Sequence, residues 1–177
     1  MASEDFPAPS EGFVLTHFIV AEDVARSRDF YAGVLGGKGR RMSPGEARAF
    51  VAGNHRAVLI TRRSGGGLQT SPVLVGVDGE AKVVISTWEG ASKTRNLRRD
   101  PTVVLCVLSD DFFGPWMRIE GTAQIVSLPE AMAGLVDYYR GISGEHPDWD
   151  DYRRAMQHDR RVLVRVSVDA AGPAHAG

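Results

Sequence analysis

The stretch that most constrains this chain is a short basic segment, residues 92–101 (SKTRNLRRDP), which lies between two apolar runs, residues 82–87 and 102–108. Pro101 disfavours helical geometry at the residue before it, so a helix entering this segment ends there. Ser92 is a residue type favoured at helix N-caps. The pattern therefore predicts one short basic helix between two strands.

Lys93 falls in the first turn of this predicted helix, where backbone N–H groups lack partners and the helix dipole is positive. That end of a helix attracts anions, and a lysine adds further positive charge to it. The position indicates an anion site, best suited to a phosphate. The alternative interpretation is a solvated basic helix face with no ligand.

Composition excludes several classes of function. The chain has 177 residues, 43% of them hydrophobic and 24% charged, as is typical of a soluble globular protein. Its net charge of -1 offers no basic excess for general nucleic-acid binding. The one cysteine, Cys106, excludes a disulfide framework. No apolar run reaches membrane-spanning length, and the acidic N-terminus does not resemble a secretory signal. We expect a cytoplasmic protein that binds neither nucleic acid nor membrane.

The N-terminal part is predicted to lie outside the main domain. Residues 1–12 are predicted to form a flexible tail, and residues 13–40 an appended strand–helix segment. Residues 15–20 (LTHFIV) and 30–37 (FYAGVLGG) resemble part of a glyoxalase-like, or vicinal oxygen chelate, module, in which the position of His17 often ligates a metal. One histidine does not make a metal site, because a site needs several ligands in a fixed geometry. We therefore predict no metal.

The main domain, residues 41–170, is predicted to be mainly β. A capping box at Ser43 predicts a short first helix. Ser127 and Asp148 predict the starts of two further helices, and residues 171–177 are predicted to be a flexible tail. The Asp78-Gly79 pair indicates a hairpin. An antiparallel barrel would remove exposed sheet edges. Its six predicted strands are residues 56–62, 68–77, 81–87, 102–108, 116–126 and 161–168.

The run at residues 103–108 is apolar on both faces. One face can fill the barrel, while the other also has to leave water. A second subunit would cover it, which predicts a homodimer. Burial beneath the helices is the alternative.

The order of these elements and several motifs resemble the split-barrel flavin and deazaflavin oxidoreductases related to pyridoxamine-phosphate oxidase, and among them the branch that uses the deazaflavin F420. The resemblance implies a six-stranded antiparallel barrel of the FMN-binding split-barrel type, homodimeric, with the cofactor between subunits. The motifs that carry it are QTSPV at 69–73, VIST at 84–87, KTRNLRRDP at 93–101, EGTA at 120–123, GEHPDWDDYR at 144–153 and DRRVL at 159–163.

The same resemblance implies a set of cofactor-binding residues. Lys93 would bind the cofactor phosphate, helped by three hydroxyls, while backbone groups of one strand would line the ring and a tryptophan would cover it. Relatives often carry an arginine near positions 91 and 92, where this chain has Ala91 and Ser92. Arg95 is the candidate to compensate. The implied helpers are Ser86, Thr87 and Thr94 for the phosphate, Ser71, Pro72 and Val73 for the ring, and Trp116 as the cover.

The function implied is that of a reductase that transfers a hydride from reduced F420 to an unidentified small organic acceptor, with the protein supplying orientation and exclusion of water. Three arginines, Arg95, Arg98 and Arg99, would suit the anionic oligoglutamate tail of F420. Three alternatives remain: an FMN-dependent oxidase-like flavoprotein, a non-catalytic tetrapyrrole- or flavin-binding protein, and metal-dependent glyoxalase-type chemistry through His17.

No catalytic residue is assigned from the sequence. His146 precedes a predicted helix, and Tyr152 lies on its apolar stripe, so capping and packing explain both better than proton donation does.

Overall fold

A computed structural model describes residues 42–111 and 114–176, and the predictions made for residues 1–40 lie outside this part of the chain. The described residues form four helices and seven strands. In chain order these are α1 (Pro44–Gly53), β1 (Arg56–Arg62), β2 (Leu68–Leu74), β3 (Gly76–Val77), β4 (Val83–Trp88), α2 (Ser92–Arg99), β5 (Thr102–Leu108), β6 (Pro115–Val126), α3 (Met132–Ser143), α4 (Trp149–His158) and β7 (Arg161–Ala176).

All seven strands belong to one antiparallel sheet with the order β2-β1-β5-β6-β7-β4-β3. The long β6–β7 pair forms its middle, and its register shifts between Met117 and Ile119 and again between Glu120 and Gly121. Such irregularities bend a strand and increase its twist. The sheet curls into a half-barrel, so that β2 also approaches β4.

The strands differ from the prediction at two places. The predicted strand at 68–77 is divided into β2 and β3, because the N–H of Val75 turns aside to donate to the carbonyl of His55 over 2.8 Å. The count is therefore seven strands rather than six. The last strand was predicted to end at 168 and to be followed by a flexible tail, but β7 continues to Ala176. Its residues 174–176 pair with β6, so this end of the chain extends the sheet.

The main core lies on the concave side of the sheet. Alternate residues of β1 and β5 are buried, as the period of a strand requires. Ala47 and Val51 of α1 pack into the same core. A second cluster joins α3 and α4 to the opposite side of β4 and β7, through residues such as Leu135 and Leu163. The fully buried residues at the centre of the main core are Leu59, Ile85, Leu105, Met117, Ile119 and Val164.

The second face of β5 is not fully buried. Val104 and Cys106 remain half-buried on it, and Leu108 is 37% exposed. Val58 and Ile60 of β1 continue the same half-buried surface. An apolar sheet face of this kind is available for a further partner.

Two of the predicted helix starts are confirmed. The Ser43 hydroxyl accepts from the N–H of Glu46 over 3.2 Å, while the Glu46 carboxylate accepts from the N–H of Ser43 over 2.8 Å. The Asp148 carboxylate accepts from the N–H groups of Asp150 and Asp151, each over 2.9 Å. These contacts satisfy backbone donors that a helix leaves unpaired at its start.

Two other predicted N-caps are wrong. The N-cap of α2 is Ala91, and Ser92 is the first helical residue, where its hydroxyl accepts from Arg95 over 3.1 Å. The predicted capping box at Ser127 is also absent, because α3 begins only at Met132. The Ser127 hydroxyl instead bonds to the side chains of Arg98 and Glu89. In both cases charged neighbours engage the hydroxyl that local sequence assigns to a cap.

Candidate functional site

Helix α2 is held against the β1–β2 hairpin by one buried amide. The Asn96 Nδ2 donates to Thr61 Oγ1 over 3.1 Å and to Gln69 Oε1 over 2.8 Å. Asn96 is 7% exposed and Thr61 is 2% exposed, so their mutual bond excludes water. Leu97, the next residue, enters the main core. These contacts fix the orientation of the remaining α2 side chains.

The start of α2 is joined to the end of β4 by two hydrogen bonds to one carbonyl. The Trp88 carbonyl accepts from the Thr94 hydroxyl over 2.7 Å and from the N–H of Ala91 over 3.1 Å. The helix has no side-chain cap and no acidic residue in its first turn. Lys93 is half-buried there, and within the described parts of the chain its ammonium has no hydrogen-bond or ion-pair partner. The first turn of α2 therefore presents positive charge that no carboxylate compensates.

A cleft of about 420 Å³ runs beside α2. It begins at Ser92 in the first turn and reaches Arg99 in the last, a distance of about 10 Å along the helix axis at 1.5 Å per residue. Its lining includes three guanidinium groups and no carboxylate. The lining residues are Arg63, Ser64, Gln69, Ser92, Arg95, Asn96 and Arg99.

The α2 arginines in the cleft are held by neutral acceptors. Arg95 donates to the carbonyl of Gly90 over 2.7 Å, and Arg99 donates to the carbonyl of Arg62. Neither bond neutralises the guanidinium, so the cleft keeps its positive charge. A cleft of this charge and length suits an extended anionic group.

Arg98 does not share this cleft. Its guanidinium pairs with the Glu89 carboxylate at 2.6 Å and also donates to Ser127. Arg98 therefore lies apart from Arg95 and Arg99, with which it was predicted to suit the F420 tail. Its place is taken by Arg63, in the β1–β2 turn, which sequence reasoning missed. The signal available was only an arginine beside the turn residues SGGG at 64–67.

The structure brings the residues predicted to bind phosphate to one end of the sheet. Lys93 and Thr94 lie in the first turn of α2, and Ser86 and Thr87 lie at the end of β4, which the Trp88 carbonyl links to that turn. Thr94 is fully buried and Thr87 is 3% exposed. The Thr94 hydroxyl already donates its proton to Trp88 and has none left for a phosphate oxygen.

The residues predicted to line the cofactor ring lie on β2, an edge strand of the sheet. Ser71 is buried, Val73 is half-buried and Pro72 is exposed, as suits an edge strand, where a missing N–H is tolerated. Trp116 lies on β6 beside Leu108 of β5, away from α2. None of the eight predicted residues lines the 420 Å³ cleft.

His146 and Tyr152 belong to an aromatic cluster with Tyr139 and Trp149 between α3 and α4. The Tyr152 hydroxyl donates to the carbonyl of Leu135 over 2.8 Å, and burial raises the pKa of Tyr152 to about 12. The His146 Nδ1 accepts from the N–H of Asp148 over 3.1 Å. Both side chains thus have structural partners.

The described residues, 42–111 and 114–176, contain neither a metal-ligand cluster nor a membrane-spanning helix. No group of three or more His, Cys, Asp or Glu side chains there is placed to hold a metal ion. None of the described helices is long and apolar enough to cross a membrane.

A curled antiparallel sheet with a short basic helix between β4 and β5 defines the split-barrel class, of the FMN-binding type. The chain belongs to the pyridoxamine 5'-phosphate oxidase family, whose sequence profile matches residues 43–172.

Solved structures share this fold. A conserved hypothetical protein from Mycobacterium tuberculosis is 25% identical with a TM-score of 0.60, and the match covers 73% of this chain and 82% of that one. A protein named F420 reductase is 20% identical with a TM-score of 0.56, over 71% and 94% of the two chains. A heme binding protein from Mycobacterium smegmatis is 17% identical with a TM-score of 0.58, over 78% and 58%. The last two likenesses establish the fold alone.

Proposed function

We propose that this chain is an F420-dependent reductase that transfers a hydride from reduced F420 to a small organic acceptor. The observation that carries the proposal is the arginine-lined cleft, which begins at the uncapped first turn of α2. The likeness in fold to a protein named F420 reductase supports the choice.

The two anionic parts of F420 match two parts of this surface. The phosphate would be held by the Lys93 ammonium and by the backbone N–H groups of the first turn of α2, as anions at helix starts generally are. The oligoglutamate tail would extend along the cleft past Arg95 and Arg63 to Arg99. These residues fit the cofactor in charge and in order along the helix.

The cleft also favours F420 over FMN, which has a phosphate but no anionic tail. An exposed carboxylate–arginine pair contributes about 0.2–1 kcal/mol. Three such pairs give about 2 kcal/mol, a preference of roughly thirtyfold. FMN binding in the manner of an oxidase is the alternative, because Lys93 serves either phosphate equally well.

The chain's own residues would bind and orient the cofactor, and F420, when bound, supplies the hydride. We place the ring against the backbone of residues 71–73 of β2, which lies at the sheet edge near β4. A second copy of the chain, seated on the half-buried outer face of β1 and β5, would close this groove, exclude water and bring Trp116 to its far wall. Orientation and water exclusion are thus the contributions proposed for the protein.

Fluorescence titration of the cofactor-free protein with F420 and with FMN tests the proposal. We expect tighter binding of F420, and the difference should shrink at high salt because exposed charges are screened. Tight FMN binding with weak F420 binding would move the protein to the flavin alternative. Binding of heme but of neither flavin would favour a non-catalytic binding protein.

Two substitutions separate the phosphate from the tail. Lys93→Ala should weaken both cofactors by about 1.5–3 kcal/mol, as loss of a charged hydrogen bond does. Arg95→Gln should weaken F420 alone, by about threefold to fivefold. Arg98→Gln is the matched control, because it removes the same charge from the same helix but from a side chain already paired with Glu89. Unchanged affinity in Lys93→Ala would remove the helix start from the site.

A further inference from the structure

A second feature near α2 is an exposed aromatic ring held in a fixed orientation. Trp88, the last residue of β4, is 52% exposed. Its carbonyl is bonded twice to the start of α2, as described above. The Arg161 guanidinium carbon lies 4.8 Å from the centre of the indole ring, a cation–π distance. One face of the indole is therefore occupied by Arg161, and the exposure belongs to the rest of the ring.

Arg161 is itself held in place beneath the indole. It is the partner of Trp88 across the β4–β7 pair, and its Nε lies 3.5 Å from the Asp159 carboxylate. The pKa of the Asp159 carboxyl is lowered chiefly by a hydrogen bond from His158, and further by the charge of Arg161 and a hydrogen bond from Trp88. Trp88, Asp159 and Arg161 thus form one connected group, in which the orientation of the indole is set before any ligand arrives.

A cavity of about 370 Å³ opens beside this group. It is lined by Glu89, Ser127, Leu128, Gln157, Arg160 and Arg161. The charges of this region sum to +1, since Arg98, Arg160 and Arg161 oppose Glu89 and Asp159.

The guanidinium of Arg160 has no side-chain partner within residues 42–111 and 114–176, whereas Glu89 is occupied by Arg98 and Ser127. Arg160 is also one of two non-glycine residues in the described chain with a positive φ, 52°. Such a backbone conformation is uncommon and costs energy outside glycine. Because its guanidinium has no side-chain partner among the described residues, Arg160 is the unpaired cation of the cavity.

We propose that the exposed face of Trp88 and the adjoining cavity bind an anionic aromatic compound, with its ring stacked on the indole and its carboxylate at Arg160. Stacking suits a fixed, exposed indole, because it adds contact area with little loss of side-chain freedom. Arg161 draws negative charge from the ring it covers, so the opposite face accepts a ring bearing negative charge more readily than an isolated indole does. The lone cation at Arg160 selects a carboxylate over a neutral group.

Binding of the aromatic anion does not depend on the proposed function. The two proposals therefore fail separately: F420 titration tests the cofactor, and titration with an aromatic acid tests this site.

The test is calorimetric titration of the full-length protein with 2-naphthoate and with its neutral analogue 2-naphthamide. We expect saturable binding of 2-naphthoate, with the amide about threefold to fivefold weaker. Trp88→Leu should weaken 2-naphthoate about fivefold to tenfold, while Trp88→Phe keeps most of the affinity because it keeps an aromatic face. Arg160→Gln should abolish the preference for the acid over the amide.

Arg153→Gln is the control for charge, since Arg153 lies on the exposed side of α4 and pairs with Asp150. Thermal unfolding of each variant establishes that it is folded before titration. No binding of 2-naphthoate to the wild type, or equal binding by Trp88→Leu, overturns the proposal. It is also overturned if Trp88→Leu turns a dimer into a monomer while the wild type ignores 2-naphthoate, because a second copy would then cover the indole.

Discussion

Replacing Asn96 by leucine should loosen the whole candidate site from a single buried position. Asn96 joins α2 to β1 through Thr61 and to β2 through Gln69. Leucine has nearly the same size and shape but donates no hydrogen bond. The substitution therefore removes these two contacts, together with the longer bond of 3.5 Å that the Asn96 Oδ1 accepts from Arg99, while it keeps the packing.

The size of the effect follows from those contacts. Each buried hydrogen bond contributes about 0.5–1.5 kcal/mol net, and a buried partner left unsatisfied costs about 1–3 kcal/mol. Thr61 loses its donor in a place that water does not reach, while Gln69 is half-buried and recovers a water molecule. The added apolar surface of leucine offsets part of the loss. We expect a destabilisation of about 2 kcal/mol, or a Tm lower by about 6 °C.

A double-mutant cycle with Thr61→Val identifies the source of the loss. Urea unfolding of the two single variants and of the double variant gives the coupling energy. We expect a coupling of about 1 kcal/mol, because Thr61→Val removes the acceptor that Asn96→Leu strands. F420 affinity should fall in Asn96→Leu, which shifts Arg95 and Arg99 together with α2. A Tm equal to that of the wild type, or strict additivity in the cycle, would refute this account of how α2 is held.

Two further predictions concern the assembly and the pH dependence of stability. Light scattering should give a mass near twice 19.2 kDa. Val104→Lys should give a monomer, because it puts a charge on the proposed apolar interface, while Glu120, the cross-strand neighbour, can pair with the lysine in the folded monomer. A wild-type monomer would contradict the dimer. Burial raises the pKa of Tyr152 to about 12 in the folded protein, above its ordinary value of 10.0. The fold therefore favours the neutral phenol. This contribution to stability is complete below pH 10 and should be lost as the unfolded chain ionises between pH 10 and 12. Tyr152→Phe lacks the bond to Leu135, so its free energy of unfolding at pH 8 should be about 1 kcal/mol lower than that of the wild type. The variant also lacks the pH-dependent loss, so the two free energies, measured by urea unfolding at pH 8 and 11, should converge. A constant difference would contradict the assignment.

The elements that the sequence predicted best are those in which local pattern and tertiary environment agree. Strands β1 and β5 have the predicted bounds, because each is a continuous apolar run that polar or turn residues close at both ends. The caps at Ser43 and Asp148 were predictable because each contact joins residues two or three positions apart. Local rules are sufficient where both partners are local.

Apart from Ser92, whose hydroxyl is engaged by Arg95 of the same helix, the failures came from partners distant in sequence. Ser127 has the pattern of a cap, but Glu89 and Arg98 arrive from another part of the chain and engage its hydroxyl. The extension of β7 to Ala176 follows from pairing with the start of β6, which the composition of residues 169–176 does not indicate. Strand ends at a sheet are set by the neighbouring strand as much as by their own residues.

The candidate site shows the same division within one helix. The position of Lys93 in the first turn of the helix was predictable, and that position already determines its electrostatic environment. The roles of Arg98 and Arg63 were not, since a helix face acquires its function only when the elements beside it are known. Glu89 neutralises one arginine, and the β1–β2 turn supplies another. A basic helix therefore predicts an anion site, while the register of the surrounding sheet determines which arginines line the cleft beside that helix.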